Sequence, residues 1–189
     1  AEITGVGYKL EGSLEANRRP VKIEEAADLE MLLRLGALCN NADISGLASR
    51  PGELEVHGDP TEIAYLVAAA KCGLDLEKLR LDYPRSDEIP FEPHLQMMVT
   101  RHRSRGDRHL TCVKGSPEKI LDYCSRCLTG GQEVTLTDER YRAALDKSEK
   151  MADQAMRVLA FAYLEEDEST PDTLDINNLK EQLVFVGFI

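Results

Sequence analysis

The 189-residue chain predicts an α+β domain: a twisted, mainly antiparallel sheet with helices packed on its faces. Three observations point there. Extended segments at 96–101 and 109–114 flank Ser104 to Asp107, with Gly106 inside, which reads as a hairpin. Asp59-Pro60 and Ser116-Pro117 each place a capping residue before a proline suited to the first turn of a helix. The run Leu183-Val184-Phe185-Val186-Gly187-Phe188-Ile189 is almost wholly apolar and has strand composition.

Element by element, Gly5 to Pro20 is glycine-spotted, polar and extended. The segment 24–39 carries Leu29, Leu32, Leu33 and Ala37 at helical spacing, and Asn40-Asn41 suit its exit. Leu54-Glu55-Val56 alternates as a short strand. Asp59 caps a helix that has Pro60 at its first position and Glu62 three residues after the cap, and Gly73 ends it. Strand-like pieces follow around Ile89-Pro90-Phe91, at 96–101 and at 109–114. Ser116 caps a helix whose Ile120, Leu121 and Cys124 face inward. Thr137 opens a long helix with Tyr141, Ala144, Leu145, Ala152 and Ala155 on one stripe. Val158 to Tyr163 switches to strand, and the acidic stretch from Glu165 to Asp175, broken by Pro171, reads as a surface loop.

Composition sets the class. A chain of this length buries one core, so residues 1–189 are expected to form a single domain. With 42% apolar and 30% charged residues it is an ordinary globular chain. It holds no apolar run near the roughly 20 residues that a bilayer requires, and no basic-then-apolar leader suggests export. A net charge of −11 argues against a general nucleic-acid binder. Cys39, Cys72, Cys112, Cys124 and Cys127 make an odd set, read as free thiols.

Four segments hold residues with a chemical use beside a structural one. Phe91 is one of four Phe in a chain without Trp, so it is either a core residue at a strand end or an aromatic face for a flat ligand. Lys114-Gly115-Ser116-Pro117-Glu118 is either a solvated lysine before a capped helix or a cation and helix start suited to an anion. In Gly58-Asp59-Pro60-Thr61-Glu62, the glutamate either closes a capping box or accepts a ligand hydrogen bond. Arg157, in Met156-Arg157-Val158-Leu159-Ala160, is either a boundary surface residue or a fork for phosphate. Met98 and Leu159 serve equally as core or as pocket walls. Cys124-Ser125-Arg126-Cys127 has zinc-like spacing without a second ligand pair, so structural thiols are expected. The basic segment 101–109 reads first as a solvated hairpin tip and second as a docking surface.

In that order and spacing the four segments resemble the nucleotide-binding domain of a P-type cation-transporting ATPase, from Ile3-Thr4-Gly5 to Phe185-Val186-Gly187. The motif style is most similar to the calcium-pump-like bacterial branch. The resemblance implies adenine stacked on Phe91 and hydrogen-bonded to Glu62, with Lys114, Gly115 and Ser116 at the base of the pocket. It implies Arg157 at the phosphates, with Met98 and Leu159 as walls. It further implies a cytoplasmic domain cut from a membrane pump, ATP with Mg²⁺ in the intact protein, and phosphorylation domain, actuator domain and membrane helices as partners.

The sequence departs from the pattern at Pro93 and Gln96, where many relatives carry Arg and Lys; His94 is the candidate substitute. DKTGT, GxxxxGK[ST] and GxGxxG motifs are absent, so the piece is expected to bind nucleotide as a monomer without cleaving it. A docking or regulatory module with a decayed pocket is the rival expectation, and a cysteine-based metal binder the third.

Overall fold

The computed structural model describes residues 1–16, 19–45, 55–104, 108–167 and 173–189. Its centre is a seven-stranded sheet. In chain order the strands are β1 (Glu2–Ile3), β2 (Leu14–Ala16), β3 (Arg19–Pro20), β4 (Asp43–Ser45), β5 (Glu55–His57), β6 (Arg85–Glu92), β7 (Met97–Ser104), β8 (Arg108–Gly115), β9 (Cys124–Thr129), β10 (Gln132–Thr135), β11 (Ala160–Glu166) and β12 (Leu183–Phe188). The helices are α1 (Ala27–Leu38), α2 (Pro60–Lys71), α3 (Leu76–Asp82), α4 (Pro117–Asp122) and α5 (Asp138–Ala152). The large sheet runs β10-β9-β12-β11-β8-β7-β6, and only the β12–β9 pair is parallel. The rest of its ladder is antiparallel, as the sequence predicts.

Strand alternation divides the core into two layers, because successive side chains leave a strand on opposite faces. Met97, Val99, Val113, Ala160, Ala162, Leu164, Leu183 and Phe185 form one face, covered by Ile120 and Leu121 of α4 and by Tyr141, Ala144 and Leu145 of α5. Met98, Leu110, Cys112, Phe161, Tyr163 and Val184 form the other, covered by Leu32, Leu35 and Leu38 of α1 and by Tyr65 of α2. A third cluster joins Leu33 and Ala37 of α1 to Ile63, Leu66 and Val67 of α2, with Ile44 of the small β4–β5 sheet. Helix α1 is thus buried on two sides: Leu32 and Leu33, which share a stripe in the sequence reading, pack into different clusters.

The other departures have local causes. The α5 stripe stops before Ala155, which sits at φ 59° in the turn that ends the helix. Cys124 belongs to β9, because α4 ends at Asp122. The β9–β10 hairpin turns on Gly130 and Gly131, both at positive φ, the two-residue turn that Gly-Gly favours. Their N–H groups donate to the Asp28 carboxylate of α1 at 2.8 and 2.7 Å. Helix α3 is capped by Asp75, which accepts from the Lys78 N–H at 2.9 Å. Glu165 and Glu166 extend β11 rather than a loop. Leu54, Gly106 and Pro171, with their expected strand start, hairpin tip and loop break, lie outside the described residues.

The basic segment is only partly a solvated tip. Arg101 is buried and donates to both Glu166 carboxylate oxygens at 3.0 and 3.1 Å. Exposed Arg108 pairs with Glu165. His102 is buried, with Nδ1 3.0 Å from the Tyr83 carbonyl and Nε2 2.9 Å from the Thr100 hydroxyl. Burial lowers its pKa from 6.5 to about 4, so the folded state holds the imidazole neutral. Because the folded pKa lies below the unfolded one, this contribution is complete above pH 6.5 and lost as pH falls towards 4. Its size is about 3 kcal/mol. Urea unfolding across that range is expected to show a steeper acid loss in the wild type than in His102→Gln. Equal slopes would contradict it.

Candidate functional site

A cavity of about 500 Å³ opens between the N-terminal turn of α2, the ends of β6, β7 and β8, and the segment leading into β11. The sheet register builds its floor: Lys114 lies opposite Met98 on one side and Phe161 on the other. Every site residue expected from the sequence lines it, namely Glu62, Phe91, Met98, Lys114, Gly115, Ser116, Arg157 and Leu159. Asp59, Thr61, Tyr65, Gln96, Pro117 and Val158 complete the wall.

Glu62 does not close a capping box. Asp59 caps α2 by accepting from the Thr61 N–H at 2.8 Å. The Glu62 carboxylate instead meets Lys114 Nζ at 2.5 Å and accepts from the Asn41 N–H at 3.1 Å. Side chains of the ion pair are 7% (Lys114) and 17% (Glu62) exposed, so each charge depends on the other for compensation. Asn40 braces the junction by donating to the Gly36 and Glu62 carbonyls at 3.0 and 2.9 Å. Gly58, before the cap, sits at φ 127°, where a Cβ would strike Ala42.

Phe91 is 59% exposed, which removes its reading as a core residue. Burying that ring against a flat ligand would recover apolar area now in water. Arg157 is exposed and donates to the Thr61 hydroxyl at 3.2 Å. Met98 is buried at 2%, while Leu159 is half-buried. Ser116 occupies the cap position of α4 without a side-chain cap bond. A Cβ on Gly115 would fall 2.4 Å from the Gln96 carbonyl oxygen. The β7–β8 approach therefore demands the glycine, whatever a ligand adds. Gln96 itself holds φ 55° and presents a neutral amide to the cavity. His94 pairs with Glu92 at 3.1 Å and is not part of the wall.

The sequence reading missed Tyr65. Its signal was position: three residues after Glu62 and four after Thr61, on the same face of α2. Burial pushes its pKa up to about 12, with Arg157 pulling the other way, so it is a neutral hydroxyl. Cys124 and Cys127 are buried in the sheet core, and Cys124 Sγ donates to the Ile120 carbonyl at 3.1 Å. Among the described residues, no group of three or more His, Cys, Asp or Glu is placed to hold a metal ion.

Residues 28–189 match the family described as P-type ATPase, cytoplasmic domain N. The chain is similar to the calcium-transporting ATPase of Bacillus subtilis, 32% identical over 161 residues, covering 85% of this chain and 18% of that protein. It is 40% identical over 161 residues to the cation-transporting ATPase pma1 of Synechocystis, covering 84% of this chain and 17% of that one. It is 32% identical over 165 residues to the human calcium-transporting ATPase type 2C member 1, covering 86% of this chain and 17% of that protein. The chain thus spans about a fifth or less of the length of these relatives.

The ion pair makes an asymmetric prediction. Glu62→Gln leaves the more buried Lys114 charge uncompensated and is expected to cost about 3 kcal/mol of folding stability. Lys114→Met leaves a carboxylate with the Asn41 N–H and more water, at about 1 kcal/mol. Denaturant unfolding of both variants checks the order; equal or reversed costs would contradict the assignment.

Proposed function

The chain belongs to the family of P-type ATPase cytoplasmic N domains, and on that premise we propose that it binds ATP in the cavity beside Lys114 and Glu62. Adenine stacks on Phe91, Met98 and Leu159 wall the slot, and Glu62 accepts from the base. Lys114 and the helix start at Ser116 form the base of the pocket, and Arg157 meets the phosphates. The carrying observation is Phe91: an aromatic ring 59% exposed on a ligand-sized cavity, in a chain with four Phe and no Trp.

In the whole protein, this domain holds ATP, with Mg²⁺ at the phosphates, and presents the γ-phosphate to an aspartate of a phosphorylation domain. Positioning of that kind, with an actuator domain and membrane helices as further partners, drives ion movement. The relatives are named for calcium or cation transport, and a cation is the cargo proposed here.

The rival reading, a docking module with a weakened pocket, draws support from one place. Pro93 is exposed and Gln96 is neutral, so two positive charges are missing beside the phosphate path. Base recognition should therefore dominate affinity. Titration calorimetry is expected to give ATP, ADP and AMP dissociation constants within about tenfold of one another, near 1.4 kcal/mol. Phe91→Ala should cost about 1–3 kcal/mol. Undiminished binding by that variant would put the pocket elsewhere, and ATP far tighter than AMP would require a cation beyond Lys114 and Arg157.

The chain alone is expected to turn over no ATP. Phosphoryl transfer needs an in-line nucleophile and metal-assisted charge neutralisation, and no DKTGT aspartate occurs in the sequence. Labelled ATP should yield neither an acyl phosphate nor phosphate release above background. Steady turnover abolished by Lys114→Ala would mean that these residues hold a complete active site.

A further inference from the structure

Arg85, the first residue of β6, does not line the cavity beside Lys114, yet its guanidinium organises the corner that holds Glu62. Its Nη2 donates to the Leu38 and Asn40 carbonyls at 3.0 and 2.5 Å. Its Nη1 donates to the Asn41 side-chain oxygen at 2.6 Å and to the Glu88 carboxylate at 2.7 Å. Leu38 ends α1, so its carbonyl is one of those that a helix leaves without an internal partner. The same corner grips Glu62 from its other side. The Asn41 N–H donates to Glu62 Oε2 at 3.1 Å, and the Asn40 side-chain amide donates to the Glu62 carbonyl at 2.9 Å. Asn41 is therefore held at both ends, by Arg85 through its side chain and by Glu62 through its backbone.

The carboxylate needs this second hold. The last side-chain torsion of a glutamate is broad, so one contact leaves its plane free to turn. Lys114 fixes Oε1 from the sheet, and the Asn41 N–H fixes Oε2 from the α1 corner. Contacts from two directions define the plane, and with it the direction of the remaining acceptor sites. The two arms differ in support. Lys114 sits within the β7–β8 ladder, whereas Asn41 is exposed on the short link between α1 and β4. Arg85 ties that link to β6. Resting on the nucleotide reading above, we infer that Arg85 is a positioning residue of the site: through Asn41 it aims the Glu62 carboxylate at the amino group of bound adenine. Two guanidinium nitrogens serve four acceptors here, more than the three N–H groups of a lysine could satisfy.

The test compares ATP with purine riboside triphosphate, which is ATP without the 6-amino group, by calorimetry. The wild type should prefer ATP by about tenfold or more, the effect of one hydrogen bond to a charged acceptor. Arg85→Met is expected to bring the two ligands within about threefold of each other, by weakening ATP while the analogue stays within about twofold of its wild-type affinity. Should that variant not fold, Arg85→Gln is read by the same criteria. Arg80→Met controls for general damage to the corner, because Arg80 holds the Ala42 carbonyl and Asp43 and no group that touches Glu62; it should keep the wild-type preference. Equal weakening of both ligands in the Arg85 variant, or the same loss of preference in Arg80→Met, would reduce Arg85 to a contact of the fold and overturn the inference. An unchanged preference would overturn it too, and with Phe91→Ala impaired would leave the nucleotide site standing. A wild type that binds the two ligands alike would take Glu62 off the amino group and overturn the inference, again leaving the cavity if Phe91→Ala is impaired. A wild type that binds neither ligand would bring down both readings.

Discussion

The ion pair between Lys114 and Glu62 is the contact on which the site depends. It joins the end of β8 to the first turn of α2, and it does so with both side chains largely out of water. A buried pair of this kind adds little net stability over an apolar contact, yet it is costly to break where the buried Lys114 charge is left alone. It therefore acts as a geometric constraint. It sets how α2 meets the sheet, where Thr61 and Tyr65 fall along the cavity wall, and how far Arg157 must reach to Thr61.

The sheet supplies the other half of the constraint. Alternation along β7 and β8 sends Met98 and Lys114 to the α1–α2 side while Met97, Val99 and Val113 fill the opposite core. Gly115 permits the close passage of Gln96 across the strand end. The slot is consequently an edge of the main core rather than a loop feature, and its floor inherits the rigidity of that core. A second cavity of about 440 Å³, with Glu24, Glu30, Asp75 and Asp82 against Arg34 and Lys78, has an acidic balance poorly suited to phosphate.

Most of the site was legible because its residues sit at punctuation points. Asp59-Pro60 and Ser116-Pro117 mark helix starts in any context, and the residues beside them inherit a position. Phe91 and Arg157 needed the family pattern, since neither strand periodicity nor charge says that a ring will be left in water. Tyr65 escaped notice because a tyrosine on an apolar helix face looks like packing, and only its place in the cavity wall sets it apart. The fold was clearest where strand composition was strong, as in β7, β8 and the apolar run of β12. It was obscured in β9, where Cys-Ser-Arg-Cys spacing drew attention to thiol chemistry and away from the Gly130-Gly131 turn. Helix α1 was legible as a helix, but its two buried faces follow from the layers around it.

The central claim, that the cavity beside Lys114 and Glu62 is an adenine-nucleotide site, is tested most directly by backbone amide NMR during titration with ATP. The expected result is a saturable set of shifts centred on Phe91, Gly115, Ser116 and Arg157, extending along α2 to Tyr65. Shifts gathered instead around Arg34 and Tyr83, or zinc-induced shifts at Cys124 with none from ATP, would contradict it.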